Sequence, residues 1–317
     1  MSQIAASHEF LLDKRLGANG AGRPASDNTL ASYKTALKLA ERLADKKLHQ
    51  LEDTDVQTIL LGLNEKSVAT RNLTIGVLRQ FFDWALLNDH QTAMKRNAFR
   101  LVSAAQKPQA APKALLTEPQ FVALLAKIGE LEEAERRSLA STSQARNFRW
   151  ANEQFSDKYQ LLLKIMFYGG CRISEARLLR KDQVAVDHLR VLGKNSKYRY
   201  VPLAPRLMQE LHDFIAAHPK GPWVFYGEVR AAFLDGEAPL SDQRLYRVFR
   251  EACDALGLSP ELTPHSLRHS FATNALRATG RLEVVQDLLG HADPATTRIY
   301  AQVQEDQLRS EYAKIYA

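Results

Sequence analysis

The chain has 317 residues, 45% of them hydrophobic and 25% charged, which is the composition of a globular protein with room for two domains. Lysine and arginine number 43 against 36 acidic residues, a net of +7. Two cysteines, Cys171 and Cys253, exclude a disulfide framework and a four-cysteine zinc site. The positive excess sits mainly in residues 1–113, with 16 basic and 11 acidic side chains, against 27 and 25 in residues 114–317. A basic first third points to a polyanion partner. No apolar run reaches the roughly 18 residues that a membrane span needs, and "MSQIAASHEFLLDKRLG" lacks the apolar core of a signal peptide. A reduced, cytoplasmic chain with no membrane contact is expected.

In chain order, the Gly-rich stretch "LGANGAGRPASDN" leads into an amphipathic helix marked by Leu30, Tyr33, Leu37, Ala40 and Leu43. Thr54 with Gln57 reads as a capping box opening a second helix through Leu63. A third helix is expected from Ser67 to Leu87, with Val68, Ile75, Leu78, Phe82 and Ala85 on one side, and a short fourth from Asn97 to Ala104. The first 107 residues thus read as a helical bundle. "AAQKPQAAPKALLTEPQ" has three prolines and no periodicity, which marks a linker at 108–116 and a second domain over 117–317.

Beyond Thr117 helices dominate, with one exception. Residues 184–203, "VAVDHLRVLGKNSKYRYVPL", alternate and carry β-branched side chains, as short strands do, the last two joined as a hairpin. The fold expected is mainly α: a helical N-terminal bundle and a mostly helical second domain with a small antiparallel sheet. The stretch "LTPHSLRHSFATNAL" opens a helix at Thr263 and Pro264 with Leu267, Phe271 and Ala275 toward the core. His265 and Arg268, three apart on one face beside a helix N-terminus, suit an anion such as a phosphate.

Three other places concentrate chemistry. "YGGCRISEARLL" sets Arg172 and Glu175 three apart after a glycine pair. Lys194 falls at the hairpin tip. "LLGHADPATTRIYAQV" places His291 after Gly290, and Tyr300 in a helix capped by Asp293 and Pro294. Taken singly, each has an ordinary structural reading. Arg172 and Glu175 make an ion pair, Lys194 a solvated turn lysine, His291 a helix cap and Tyr300 a core or rim tyrosine; His265 with His269 is an i, i+4 pair of metal-ligand spacing that lacks a nearby HExxH-type carboxylate.

Together, and in the order Arg, Lys, His-x-x-Arg, Leu-Gly-His, Tyr, they resemble the tyrosine recombinase, or phage integrase, family. "GGCRISEARLLRKDQV" is similar to its first arginine box, "VLGKNSKYRYVPL" to its lysine hairpin, "HSLRHSFATNAL" to its His-x-x-Arg box, and "LLGHADPATTRIYAQV" to its histidine and nucleophile boxes. "SVATRNLTIGVLRQFFDWAL" resembles its helical core-binding domain. The resemblance implies a Xer-like or Cre-like two-domain layout and a site-specific recombinase working through a 3′-phosphotyrosine. The implied catalytic residues are Arg172, Lys194, His265, Arg268, His291 and Tyr300, supported by Glu175. Implied DNA contacts are Thr70, Arg71, Arg79, Lys197 and Arg199. No cofactor or metal is implied. The implied partners are double-stranded DNA bearing an inverted-repeat site and further copies of the chain, as a tetramer on DNA, so that the chain is nucleoid-associated when bound.

The chemistry fits independently of the resemblance. Cutting a phosphodiester without a metal needs charge stabilisation, a nucleophile and a protonated leaving group. Arg172 and Arg268 can clamp the non-bridging oxygens, Tyr300 can attack phosphorus, and Lys194 can protonate the leaving 5′ oxygen. His265 and His291 suit proton handling, and Glu175 suits orienting Arg172 or its helix. Other readings are a type IB topoisomerase-like relaxing enzyme and a non-catalytic DNA-binding relative. Residues 129–160 exceed the usual family spacing, as an extra amphipathic helix or as a contact through Arg146, Arg149 and Trp150. The tail 303–317 sets Val303, Leu308, Tyr312 and Ile315 near one helical face, packed on its own domain or docked into a neighbouring protomer.

Overall fold

The computed structural model describes residues 6–20, 22–90, 92–106, 114–140, 155–193, 198–226 and 238–290. The chain divides into two compact units, 1–110 and 111–317. The first is built from α1 (Ala6–Leu16), α2 (Asp27–Ala44), α3 (Asp55–Asn64) and α4 (Val68–Leu87). Polar side chains start two of these. Ser26 Oγ accepts from the Thr29 amide at 3.3 Å, and Ser67 Oγ from the Thr70 amide at 3.2 Å. The core joins Phe10, Leu37, Ala40, Ile59, Leu63, Ile75, Leu78, Phe81, Phe82 and Trp84. Each large apolar side chain buried there contributes about 1.5–3 kcal/mol.

Three expectations for this unit need correcting. Helix α1 was not foreseen, because its inward face mixes Phe10 with the buried Asp13 and Lys14. Asp13 is satisfied there by the Trp84 indole N–H and the Asn19 amide, both at 2.9 Å. The Thr54 capping box does not form: Thr54 has helical backbone angles and makes no capping hydrogen bond. Asp55 acts instead, accepting from the Glu52 amide at 2.8 Å and from Lys46 at 3.0 Å. The expected helix over Asn97–Ala104 is a single 3-10 turn, Ala98–Leu101. Side chains of α4 take the backbone groups that a helix would need. Arg79 donates to the carbonyls of Phe99 and Val102, and Asn72 bonds both the amide and the carbonyl of Ala105 at 2.8 Å.

The second unit opens with α5 (Glu118–Ala140), after a capping box in which the Thr117 amide reaches Gln120 Oε1 at 3.0 Å. Then come α6 (Phe155–Gly169), α7 (Ile173–Arg177), strands β1 (His188–Leu192) and β2 (Tyr198–Pro202), and α8 (Pro205–Ala217). The unit continues with α9 (Asp242–Ala255), α10 (Pro264–Thr279) and α11 (Leu282–Leu289). Helix α6 is apolar on most sides, with Leu161, Leu162, Leu163, Ile165, Met166 and Phe167 all buried, because α5, α7, α8 and α10 pack around it. The strands pair antiparallel from His188 with Pro202 to Leu192 with Tyr198, turning Leu189, Val191 and Val201 inward. The strand expected at Val184–Val186 is one isolated bridge, Val184 with Leu189, beside an exposed Val186.

The first part of the long 129–160 stretch prolongs α5 to Ala140 and its last part lies in α6, so those residues form no separate helix. Arg146, Arg149 and Trp150 lie outside the described residues. Among the described residues, no helix is long and apolar enough to cross a membrane.

Candidate active site

The site is built where α6 ends, α7 begins and α10 crosses α6. Gly170 ends the α6 segment at φ +63°, a left-handed angle that glycine adopts at no steric cost, and a Cβ there would meet Phe271 Cδ1 at 2.4 Å. That tight turn delivers Arg172 to the N-cap of α7. The Arg172 amide donates to Glu175 Oε2 at 2.8 Å and its guanidinium to Glu175 Oε1 at 2.5 Å. The expected i, i+3 pair is therefore formed, and it also caps the helix.

Glu175 does more than face Arg172. Its side chain is only 5% exposed, and two further guanidiniums reach its Oε2: Arg199 from β2 at 2.7 Å and Arg268 from α10 at 3.6 Å. A lone carboxylate in such a place would be strongly penalised by desolvation. Burial does push the Glu175 carboxyl upward, but Arg199, the Arg172 amide and the Arg172 charge outweigh it and hold the group below the ordinary carboxylate range. Three guanidiniums against one carboxylate leave an excess of positive charge, which suits a second anion.

Arg268 is 8% exposed and spans two backbone segments. Nη1 donates to the Gly170 carbonyl at 2.5 Å and Nη2 to the Leu289 carbonyl at 2.7 Å. Burial, and then the like charge of Arg172, push its guanidinium down to about 10, which leaves it charged at neutral pH. Arg172 is the reachable member, with 35% of its side chain exposed. His265, on the first turn of α10, is exposed, with its ring 6.4 Å from that of Tyr246. The start of α10 is as expected: Thr263 is the N-cap, Pro264 comes first, and the Thr263 amide donates to Ser266 Oγ at 3.2 Å.

The structure thus gathers Arg172 and Arg268 around the Glu175 carboxylate, with His265 one turn before Arg268. Lys194, Lys197, His291 and Tyr300, and the tail residues Val303, Leu308, Tyr312 and Ile315, lie outside the described residues. Arg199, expected to face DNA, is turned inward with 10% of its side chain exposed, because Glu175 needs its charge. Thr70, Arg71 and Arg79 lie on α4 in the first unit, where Arg79 is held by backbone carbonyls and Arg71 carries two buried nitrogens without a hydrogen-bond partner among the described residues. Among the described residues no group of three His, Cys, Asp or Glu side chains is placed to hold a metal ion.

Sequence reasoning missed three contributors. The Gly170 and Leu289 carbonyls that hold Arg268 carry no side-chain signal, although Gly170 and Gly290 flagged both turns. Cys171 is fully buried beside the cluster, and burial pushes its thiol up to about 11, leaving it unreactive.

Residues 131–307 match the phage integrase family, and residues 21–88 match the phage integrase N-terminal SAM-like domain. The chain is 31% identical over 300 residues to tyrosine recombinase XerD of Ralstonia nicotianae, covering 90% of this chain and 87% of that one. It is 28% identical over 326 residues to tyrosine recombinase XerC of Lacticaseibacillus casei, covering 100% and 99%. Among solved structures, XerH recombinase bound to a palindromic difH substrate shares the fold at a TM-score of 0.64 and 19% identity, covering 98% of this chain and 95% of that one. A lambda integrase dimer bound to a COC′ core site does so at 0.64 and 20%, covering 95% and 77%. The chain belongs to the phage integrase family of tyrosine recombinases, enzymes that cut and rejoin DNA.

Proposed function

We propose that this chain recombines DNA at a defined site bearing inverted repeats, exchanging strands between two duplexes through a 3′-phosphotyrosine at Tyr300. The observation that carries the reading is the convergence of Arg172 and Arg268, from two helices, on one buried carboxylate. A guanidinium has five donors in a fixed fork. Glu175 and the two carbonyls occupy some of them and fix the planes, and the remaining donors are available to a phosphate. Such preorganised donors stabilise charge that develops on the non-bridging oxygens as the phosphorus becomes five-coordinate.

Tyr300 supplies the attacking oxygen and remains esterified to the 3′ phosphate, while Lys194 gives a proton to the departing 5′ oxygen. His265, exposed one turn before Arg268, and His291 handle protons and hydrogen-bond the phosphoryl oxygens. The bond energy is kept in the phosphotyrosine, so the 5′ hydroxyl of another strand can reverse the step. Exchanging both strands of two duplexes takes four cuts, one tyrosine each, so four protomers assemble on DNA. The tail 303–317 offers the contact between them, docked head to tail into the next protomer. Thr70, Arg71 and Lys197 are the candidate DNA contacts, whereas the Arg79 guanidinium is committed to backbone carbonyls. The working location is the cytoplasm, on the nucleoid.

The test is a reaction with two distinguishable duplexes carrying inverted repeats roughly a dozen base pairs long, drawn from the DNA beside the gene. Product joining arms of both duplexes, formed in EDTA, supports the proposal. Relaxation of supercoils without joining would indicate a topoisomerase-like role, and binding without any covalent adduct a non-catalytic one.

A further inference from the structure

We infer that Arg199 is a positioning residue that fastens the hairpin to the turn before His291, and is not a contact to DNA. The inference rests on the proposed recombinase reading for its catalytic consequence, but its geometry stands alone. Arg199 lies on β2, two residues after the hairpin segment that includes Lys194 and Lys197. Its Nη2 donates to Glu175 Oε2 at 2.7 Å, while its Nη1 donates to the carbonyl of Leu288. One side chain therefore ties three pieces of chain together: the closing strand of the hairpin, the arginine box on α7, and the C-terminal end of α11.

The far end of this tie is made with care. Helix α11 stops at Gly290, which caps it at φ 63° and ψ 45°. A Cβ on Gly290 would lie 2.5 Å from Arg199 Cδ, so the aliphatic stem passes directly against the cap. The next carbonyl, that of Leu289, is taken by Arg268. Two consecutive carbonyls at the negative end of α11 are thus held by two guanidiniums, and both guanidiniums meet Glu175. His291 follows Gly290 in the chain. Both Nη atoms of Arg199 donate to protein acceptors and its stem lies against Gly290, so its fork is committed to the tie.

The consequence is specific. The segments that contribute the proposed acid, Lys194, and the proposed proton handler, His291, are joined through Arg199. Loss of the tie should misplace both, and misplacement of reacting groups by about 1 Å costs on the order of 10²-fold in rate.

The experiment uses the full chain with Arg199→Met, which keeps the stem and removes the fork, alongside Gly290→Ala and the double variant. Single-turnover cleavage of nicked site DNA at saturating protein should fall about 10–100-fold for Arg199→Met, with the Kd for site DNA and its salt dependence unchanged. Gly290→Ala should fall similarly, and the double variant no further than the worse single, because both break one contact. A weakened Kd with a salt slope reduced by about one would make Arg199 a phosphate contact and overturn the inference. So would a rate that recovers fully at a lower temperature, where a merely destabilised variant is folded. Hydrogen exchange supplies the reading that does not depend on activity. In Arg199→Met the amides of Tyr198 to Val201 and those of Leu289 and Gly290 should lose protection together. If wild-type protein formed no adduct, the recombinase reading would fall, while this joint loss would still uphold the tie; loss at one segment only would sink it.

Discussion

The arginines of the two units end in different surroundings. On α4, Arg79 is held by two backbone carbonyls of its own unit, and among the described residues Arg71 keeps two buried nitrogens without hydrogen-bond partners and no carboxylate is bonded to either guanidinium. In the second unit Arg172, Arg199 and Arg268 come from α7, β2 and α10 to one buried carboxylate. The first arrangement braces a loop. The second concentrates more positive charge than it neutralises, around a carboxylate that is itself buried. Only the second has the fixed, converging donors that the proposed transition-state stabilisation needs; under the same proposal the first belongs to positioning on a phosphate backbone.

The sharpest way to break this contrast is to remove charge from each side. Arg172→Ala and Arg268→Ala should each lower single-turnover cleavage of nicked site DNA about 10²–10³-fold, whereas Arg71→Ala should leave the rate of the bound complex unchanged. Leaving-group chemistry refines it. An alkoxide leaves poorly, its conjugate acid having a pKa of about 15, while a 5′-thiolate, with a pKa roughly 8.5, departs without help. Replacing the 5′ oxygen with sulfur should therefore rescue Lys194→Ala and leave both arginine variants impaired. Rescue of Arg172→Ala would assign the acid to the wrong residue.

Stability gives the next largest difference. Glu175→Ala strands the buried guanidiniums of Arg199 and Arg268 without their carboxylate and should lower the unfolding free energy by about 3–5 kcal/mol. Arg79→Ala loses hydrogen bonds to partly exposed carbonyls and should lower it by about 0.5–1.5 kcal/mol. Denaturant unfolding checks both, and equal losses would erase the contrast. Added sulfate should recover part of the Glu175→Ala loss if the freed site takes an anion.

Acid sensitivity is smaller and has a definite sign. The folded-state value of Glu175 is depressed, so its contribution is present above the unfolded value and is lost as pH falls through the folded one. Wild-type unfolding free energy should therefore decline below about pH 4.3, the ordinary glutamate value, and Glu175→Gln should flatten that decline. A variant with the same acid slope as wild type would show that the carboxylate is not the linked group. The smallest effect falls on Arg71→Ala, which should weaken DNA binding evenly across sequences and reduce the salt slope by about one.

What could be read from the sequence follows from the range of each interaction. Arg172 with Glu175, and His265 with Arg268, are i, i+3 relations within one helix turn, so spacing alone announced them. Thr117 as the start of a helix was equally legible, whereas the capping box read at Thr54 and Gln57 does not form, because Asp55 next door takes the same start. Arg199 was set facing DNA because nothing in "NSKYRYVPL" reveals a carboxylate 24 residues earlier. Helix α1 was hidden by Asp13, whose partner Trp84 lies 71 residues away. The turn at Ala98–Leu101 replaced a helix because Arg79 and Asn72, on α4, took its backbone groups. Local periodicity was readable; side-chain bonds between elements distant in sequence were not.

The most direct test of the central claim is to identify the atom that joins protein to DNA. Protein is mixed in EDTA with nicked site DNA, the covalent complex is digested with trypsin and nuclease, and the nucleotide-bearing peptide is sequenced by mass spectrometry. The account predicts the peptide "IYAQVQEDQLR", residues 299–309, with a 3′-phosphonucleotide on Tyr300. It also predicts that Tyr300→Phe binds the same DNA and forms no adduct. A label on Tyr312 or Tyr316, wild-type adduct levels in Tyr300→Phe, or a reaction that needs added zinc or magnesium would contradict it.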